Sequence, residues 1–215
     1  AVKASTEFNK SMSGVSAVAG ATAAEMSQLR EAALQAGAAT VFSASEAATA
    51  QGELAKAGVS VADILGGALA GSLGLAAAGQ LDLGQAAEIS AQALNIFGLA
   101  GDQTTRVADT LAAGANKSAA DVAQLGDALR QGGLLAAQTG LTLEETTGVL
   151  SLFADNALIG SDAGTSLKTM LQRLAPSTGP AADAMRELGL DFFDAQGAFV
   201  GIEEVAAQLQ DRLGG

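Results

Sequence analysis

Gly140-Leu141-Thr142-Leu143-Glu144-Glu145 is the stretch on which the fold turns. A glycine takes the left-handed position that ends one helix. An apolar residue then staples the entry, a threonine caps the next helix, and an acid three positions on closes a capping box. The same corner recurs at Gly58-Val59-Ser60 with Asp63, and more loosely at Gln80-Leu81-Asp82 with Gln85, just after Gly79. Related starts stand at Thr22 with Glu25, Ser43 with Glu46 and Ser118 with Asp121. Loops this short force consecutive helices to run antiparallel or to cross sharply.

Working outward from these corners, the spacing predicts helices over 23–38, 44–57, 61–78, 83–97, 103–115, 119–139, 143–157, 162–175, 181–188 and 202–213. The fold class is therefore all-α: stacked αα-hairpins or an irregular helical bundle. Corners fall roughly every 20 residues, a quasi-repeat at most, because the units share little sequence. Val122, Leu125, Leu129 and Leu135 form one apolar stripe, and Leu143, Val149, Leu150 and Phe153 another. Residues 1–21 read as helix at the start and loop later. The stretch 190–200, with Phe192, Phe193 and Phe199 around a turn signal, reads as a small β-hairpin or an extended loop. The whole of 1–215 reads as a segment of a longer chain, without initiator methionine or signal peptide, with 1–118 and 119–215 as candidate sub-units.

Composition supports helix. Hydrophobic residues make up 49% of the chain but aromatics only 3%, so the apolar content is mostly Ala, Leu and Val. Ala and Leu lead the helix-propensity ranking. Only Pro176 and Pro180 forbid helix locally. Small residues let helices approach closely and bury less area per residue, which predicts modest stability. The formal charge of −12 argues against a phosphate-binding surface, so no specific nucleic-acid binding is expected. An acidic wall still lets nucleic acid slide past without sticking.

Without His or Cys the chain lacks the commonest general base, metal ligands and thiol chemistry. Thr165-Ser166-Leu167-Lys168 sets a hydroxyl three residues before a lysine, but the partner motifs of Ser–Lys enzymes are missing. Glu144-Glu145 and Glu203-Glu204 are adjacent and so do not face each other on a helix; both suit a first turn, where acids stabilise the macrodipole. Asn116-Lys117-Ser118 fits a glycosylation sequon, with Ser118 better read as a cap. No catalytic, cofactor-binding or metal-ligating residue is assigned, and no cofactor is expected. From Ile64 to Leu81 there is no charge, and Gly67 and Gly71 have the spacing by which membrane helices touch. A buried helix in a soluble stack gives the same pattern, and the Gly- and Ala-rich run favours it.

Three phrases resemble the conserved core of tape measure proteins of long-tailed phages. The first is Ile159-Gly160-Ser161-Asp162-Ala163-Gly164-Thr165-Ser166-Leu167, continuing through Met170, Leu171 and Leu174 to Pro176. The second is Arg106-Val107-Ala108-Asp109-Thr110-Leu111-Ala112 followed by Ala115-Asn116-Lys117-Ser118. The third is Leu188-Gly189-Leu190 with Phe193-Asp194 and Gly197. The resemblance implies a non-enzymatic, mostly helical protein in the lumen of the virion tail, present in the host cytoplasm during assembly. It implies roles in tail-length determination, tail tube assembly and DNA delivery. The partners it implies are the tail tube protein, tail assembly chaperones and baseplate or tail-tip proteins, with self-association and a transient host-membrane contact as further expectations. Two other readings stand beside it: a membrane-active helical module resting on 64–81, and a helical-repeat scaffold that binds protein partners.

Overall fold

A computed structural model of the chain describes residues 2–174, 179–194 and 199–213. The chain is all-α. Helix α1 (Val2–Ala19) is followed by α2 (Ala23–Ala39), α3 (Ala44–Lys56) and the short α4 (Val61–Asp63). A π-helical turn (Ile64–Ala68) joins α4 to α5 (Leu69–Gly79). After α6 (Leu83–Phe97), a 3₁₀ turn (Gly101–Gln103) leads into α7 (Thr104–Asn116). Then come α8 (Val122–Gln138), α9 (Leu143–Asp155), α10 (Gly160–Leu174), α11 (Pro180–Leu188) and α12 (Ile202–Leu213).

The helices stack in two layers. One layer is α1, α3, α6, α8 and α10, in which each packs on the next. The other is α2, the α4–α5 unit, α7 and α9; here α2 meets its neighbour mainly through the π turn. From α3 to α10 each helix touches the one after it and the next but one. That is the contact pattern of an α-solenoid, in which the structural unit is a pair of helices. The sequence carries the register: the caps Ser43, Asp82 and Asp121 stand 39 positions apart along the first layer. Bonds between successive units span one residue less. Asn95 Nδ2 donates to the Ala57 carbonyl at 2.8 Å and Gly101 N–H to Asp63 Oδ1 at 2.9 Å, both 38 residues apart. The 20-residue spacing of the corners is therefore half of the true period.

Most corners form as the sequence reading expects. Thr22 with Glu25, Ser43 with Glu46 and Thr142 with Glu145 all close complete capping boxes. The start at Ser118 is corrected. Asp121 caps α8 and exchanges hydrogen bonds with Gln124, so the helix begins at Val122 rather than 119. Ser118 Oγ instead donates to the Gly114 carbonyl and accepts from Ala120 N–H, holding the loop. A second correction concerns Gly79, which is the last helical residue of α5. The left-handed position falls on Gln80, at φ 52° and ψ 40°. Gly79 is small because Val122 sits against it: a Cβ there would lie 2.9 Å from Val122 Cβ. A non-glycine residue in this region costs roughly 1–2 kcal/mol. Gln80→Gly should therefore stabilise the chain by about 1 kcal/mol in urea titration.

Residues 1–21 also differ from expectation. Helix α1 runs unbroken to Ala19 and buries Phe8, Met12 and Val15 on one face. The Ser and Gly that suggested a loop lie mainly on its exposed side. The run 61–78 is not one straight helix, because Gly67 adopts φ 155° inside the π turn. The kink admits the 3₁₀ turn: a Cβ on Gly67 would stand 3.1 Å from Asp102 Cα.

Leucines such as Leu29, Leu54, Leu75, Leu111 and Leu167 fill the core, each essentially inaccessible, with alanines between them. The tightest crossing is α8 on α10, where Gly132 meets Gly164 backbone to backbone. Near 190–200, among the described residues, an antiparallel bridge joins Phe193 and Phe199, whose ring centroids lie 5.6 Å apart. The tip of the expected hairpin, 195–198, lies outside the described residues, as does Pro176.

Candidate functional site

The residues singled out for chemistry are dispersed over the stack. Thr165 and Lys168 are both exposed on α10, one on either side of the buried Leu167. Asn116 is the last residue of α7. Glu145 belongs to the cap of α9, where its carboxylate accepts the Thr142 N–H at 2.8 Å. Glu204 accepts from Gln208 Nε2 at 3.0 Å, and Glu203 is exposed in the first turn of α12. Among the described residues no group of three or more acidic side chains is placed to hold a metal ion. By length and composition Val61–Gly79 could cross a membrane. The π turn interrupts this run, however, and Ile64, Ala68, Leu69, Leu73, Leu75 and Ala76 are buried in the stack.

The polar contact that sequence reasoning missed joins α7 to α9. Arg106 Nε donates to Glu144 Oε1 at 2.6 Å and Nη2 to Oε2 at 2.8 Å, a bidentate fork across 38 residues. Thr110 Oγ1 adds a long contact at 3.5 Å. The hydrogen bonds from Arg106 hold the Glu144 carboxyl below the usual range, and the same contact raises the guanidinium. Both side chains are nearly half exposed, so the pair orients two helices more than it stabilises them. Gln51 was also missed. It is fully buried and donates to the Leu29 carbonyl at 2.9 Å, fixing α3 to α2.

Other carboxyls are depressed by the corners themselves. Glu25 and Glu46 sit low because the backbone N–H of Thr22 and Ser43, respectively, bonds the charged form, with the hydroxyls adding to it. Asp63 sits low through the Ser60 hydroxyl first and the Gly101 N–H second. Depressed carboxyls contribute stability above their ordinary values, and this is lost as pH falls through the folded-state values. Melting temperature should hold level down to about pH 5 and then fall steadily toward pH 3. Replacing Glu25 and Glu46 by Gln should flatten that slope, and a level profile in the parent chain would refute the assignment.

The second layer carries grooves between its helices. One of 440 Å³ lies between α7 and α9, with Asp109, Thr110 and Ala113 on the α7 wall. Another of 420 Å³ lies on the adjoining flank of α9, against the start of α12, and shares Glu144 and Gly148 with the first. In the first groove the Ser151 hydroxyl donates to the Gly114 carbonyl at 3.4 Å, tying α9 to α7.

A family model described as phage-related minor tail protein matches residues 30–215. The chain is 38% identical over 214 residues to the tape measure protein of Pneumococcus phage Dp-1, a match that covers 100% of this chain and 18% of that protein. It is 35% identical over 215 residues to the probable tape measure protein of Escherichia phage P2, covering 97% of this chain and 26% of that protein. The chain thus spans about a fifth to a quarter of the length of these curated relatives. No solved structure matches it. With a family model over most of its length and two end-to-end relatives, this chain belongs to the phage-related minor tail protein family.

Proposed function

We propose that residues 1–215 form a folded structural segment of a tape measure protein, acting in tail-length determination, tail tube assembly and DNA delivery. The observation that carries this reading is the end-to-end likeness to two tape measure proteins from different phages. In this reading the segment works as one structural unit, and a division at 118/119 would fall at the corner between α7 and α8. Its place is the tail lumen of the virion, after assembly in the host cytoplasm. Its partners are the tail tube protein, assembly chaperones and baseplate or tip proteins, with self-association and brief host-membrane contact as further steps. The charge of −12 suits a wall along which DNA passes without being held.

The stack sets how the segment counts toward length. A pair of helices advances a solenoid by one interaxial distance, about 8–10 Å. The same 39 residues as one continuous helix would span about 58 Å. Parts of the parent that lie extended should therefore dominate the ruler. In-frame deletions outside this segment should shorten tails by about 1.5 Å per residue in electron micrographs. Tails of unchanged length would overturn the ruler reading. Liposome flotation addresses the membrane-active alternative, for which the apolar Val61–Gly79 run is the motive.

A further inference from the structure

Helices α7 and α9 start at Thr104 and Leu143, so α9 repeats α7 with a shift of 39 residues. On α7 the residues that face the next helix of the layer across the groove include Asp109, Thr110 and Ala113. The same shift carries them to Gly148, Val149 and Leu152. All three line the second groove, Gly148 at the edge it shares with the first. That flank is thus the face on which each preceding unit receives a helix, and here, among the described residues, Ile202 and Glu203 at the start of α12 line its other wall. The position is also more apolar than its precursor. Leu152 stands where α7 has alanine, and it is 64% exposed.

We propose that this groove is a docking site for a basic amphipathic helix of a protein partner. The repeat itself argues for a helix, because a helix fills the equivalent position one unit earlier. Helix α9 has 13 residues, about 20 Å, which matches three to four turns of a partner. The charge argues for a basic one. Glu144, Glu145 and Glu203 rim the apolar floor. Arg106 neutralises Glu144, but no Lys or Arg forms an ion pair with Glu145 or Glu203 among the described residues. A second copy of this acidic chain is disfavoured by like charge. The partner's leucine-type face would cover Leu152, above the already buried Val149, while its lysines or arginines meet the rim, as in other helix-in-groove complexes. This inference rests on the repeat register and the acidic rim and does not depend on the tail assignment.

The test uses the purified chain and a labelled 18-residue peptide with leucines at helical spacing and lysines elsewhere. A twin peptide has glutamates in place of the lysines. Fluorescence anisotropy should show saturable binding of the lysine peptide and none of the glutamate twin. Leu152→Glu should weaken binding at least tenfold with helical content unchanged by circular dichroism. Leu134→Glu, at an exposed leucine on α8 in the other layer, should leave it intact. Both variants make the chain more acidic, so unspecific charge attraction would persist or rise in each. Equal binding to the parent and to Leu152→Glu, or no binding to the parent, overturns the proposal. Sedimentation showing self-association of the parent that Leu152→Glu abolishes also overturns it, because a second copy then fills the groove.

Discussion

Gly164→Ala should destabilise the folded chain by about 1–3 kcal/mol, whereas Gly74→Ala should stabilise it by about 0.5–1 kcal/mol. The two substitutions are chemically identical and both fall inside a helix, so each removes the same excess backbone freedom from the unfolded chain. What differs is the surroundings. Gly74 lies on the exposed side of α5, and a Cβ there has nothing within 4 Å. Gly164 lies against α8, where a Cβ would run into the Ala128 carbonyl oxygen. The obstacle is backbone, which cannot swing aside as a side chain can, so α10 must move away from α8. That separation also loosens Gly132, whose own Cβ would stand 2.5 Å from the Gly164 carbonyl oxygen. Urea titration of the parent and both variants measures the contrast. A neutral Gly164→Ala would show that α8 and α10 pack less closely than described.

Removing residues 83–121 should leave a shorter chain that still folds, whereas removing only 83–102 should abolish cooperative unfolding. The longer deletion takes out α6, α7 and the loops around them, one complete pair of helices. It joins Asp82 directly to Val122, so Asp82 takes the place of Asp121 as cap of α8 with Gln124 still three positions on. Layer alternation survives: α8 follows α5, and α9 follows α5 within the second layer. Nearest-neighbour coupling makes such excisions tolerable in solenoids, although the new interface is imperfect and the melting temperature should drop. The shorter deletion removes α6 and most of the following turn, leaving Gln103 before α7. Every later helix is then moved into the other layer, and its buried face meets solvent. Circular dichroism melts distinguish the two. A cooperative melt from the half-pair deletion would contradict the two-layer arrangement.

The corners were legible because their signal is local. Thr142 and Glu145 are three residues apart, and the hydrogen bonds that join them need no tertiary context. Helix type and most boundaries followed from those corners and the apolar stripes. The repeat was illegible as sequence identity because what recurs is a cap and a packing position, with different side chains in each unit: Ser43, then Asp82, then Asp121. The π turn escaped because Gly66-Gly67 inside an apolar run gives no sign of which way a helix will bend. The Arg106–Glu144 fork escaped because a separation of 38 residues becomes a contact only once the stacking order is known. Ser118 misled because serine, too, is a good cap; Asp121 won by having Gln124 to complete a reciprocal pair.

The pattern in which each helix from α3 to α10 packs mainly on the one or two before and after it has a kinetic corollary. Among the described residues the main contacts of that run are all between near neighbours in sequence, so loop closure stays short. During synthesis at about 5–20 residues per second, a new 39-residue pair would emerge roughly every 2–8 seconds. Each pair can settle on the one already in place before the next is made. Growth of the stack would then be vectorial, from the amino terminus onward, with one unfinished apolar face exposed at the growing end at any moment.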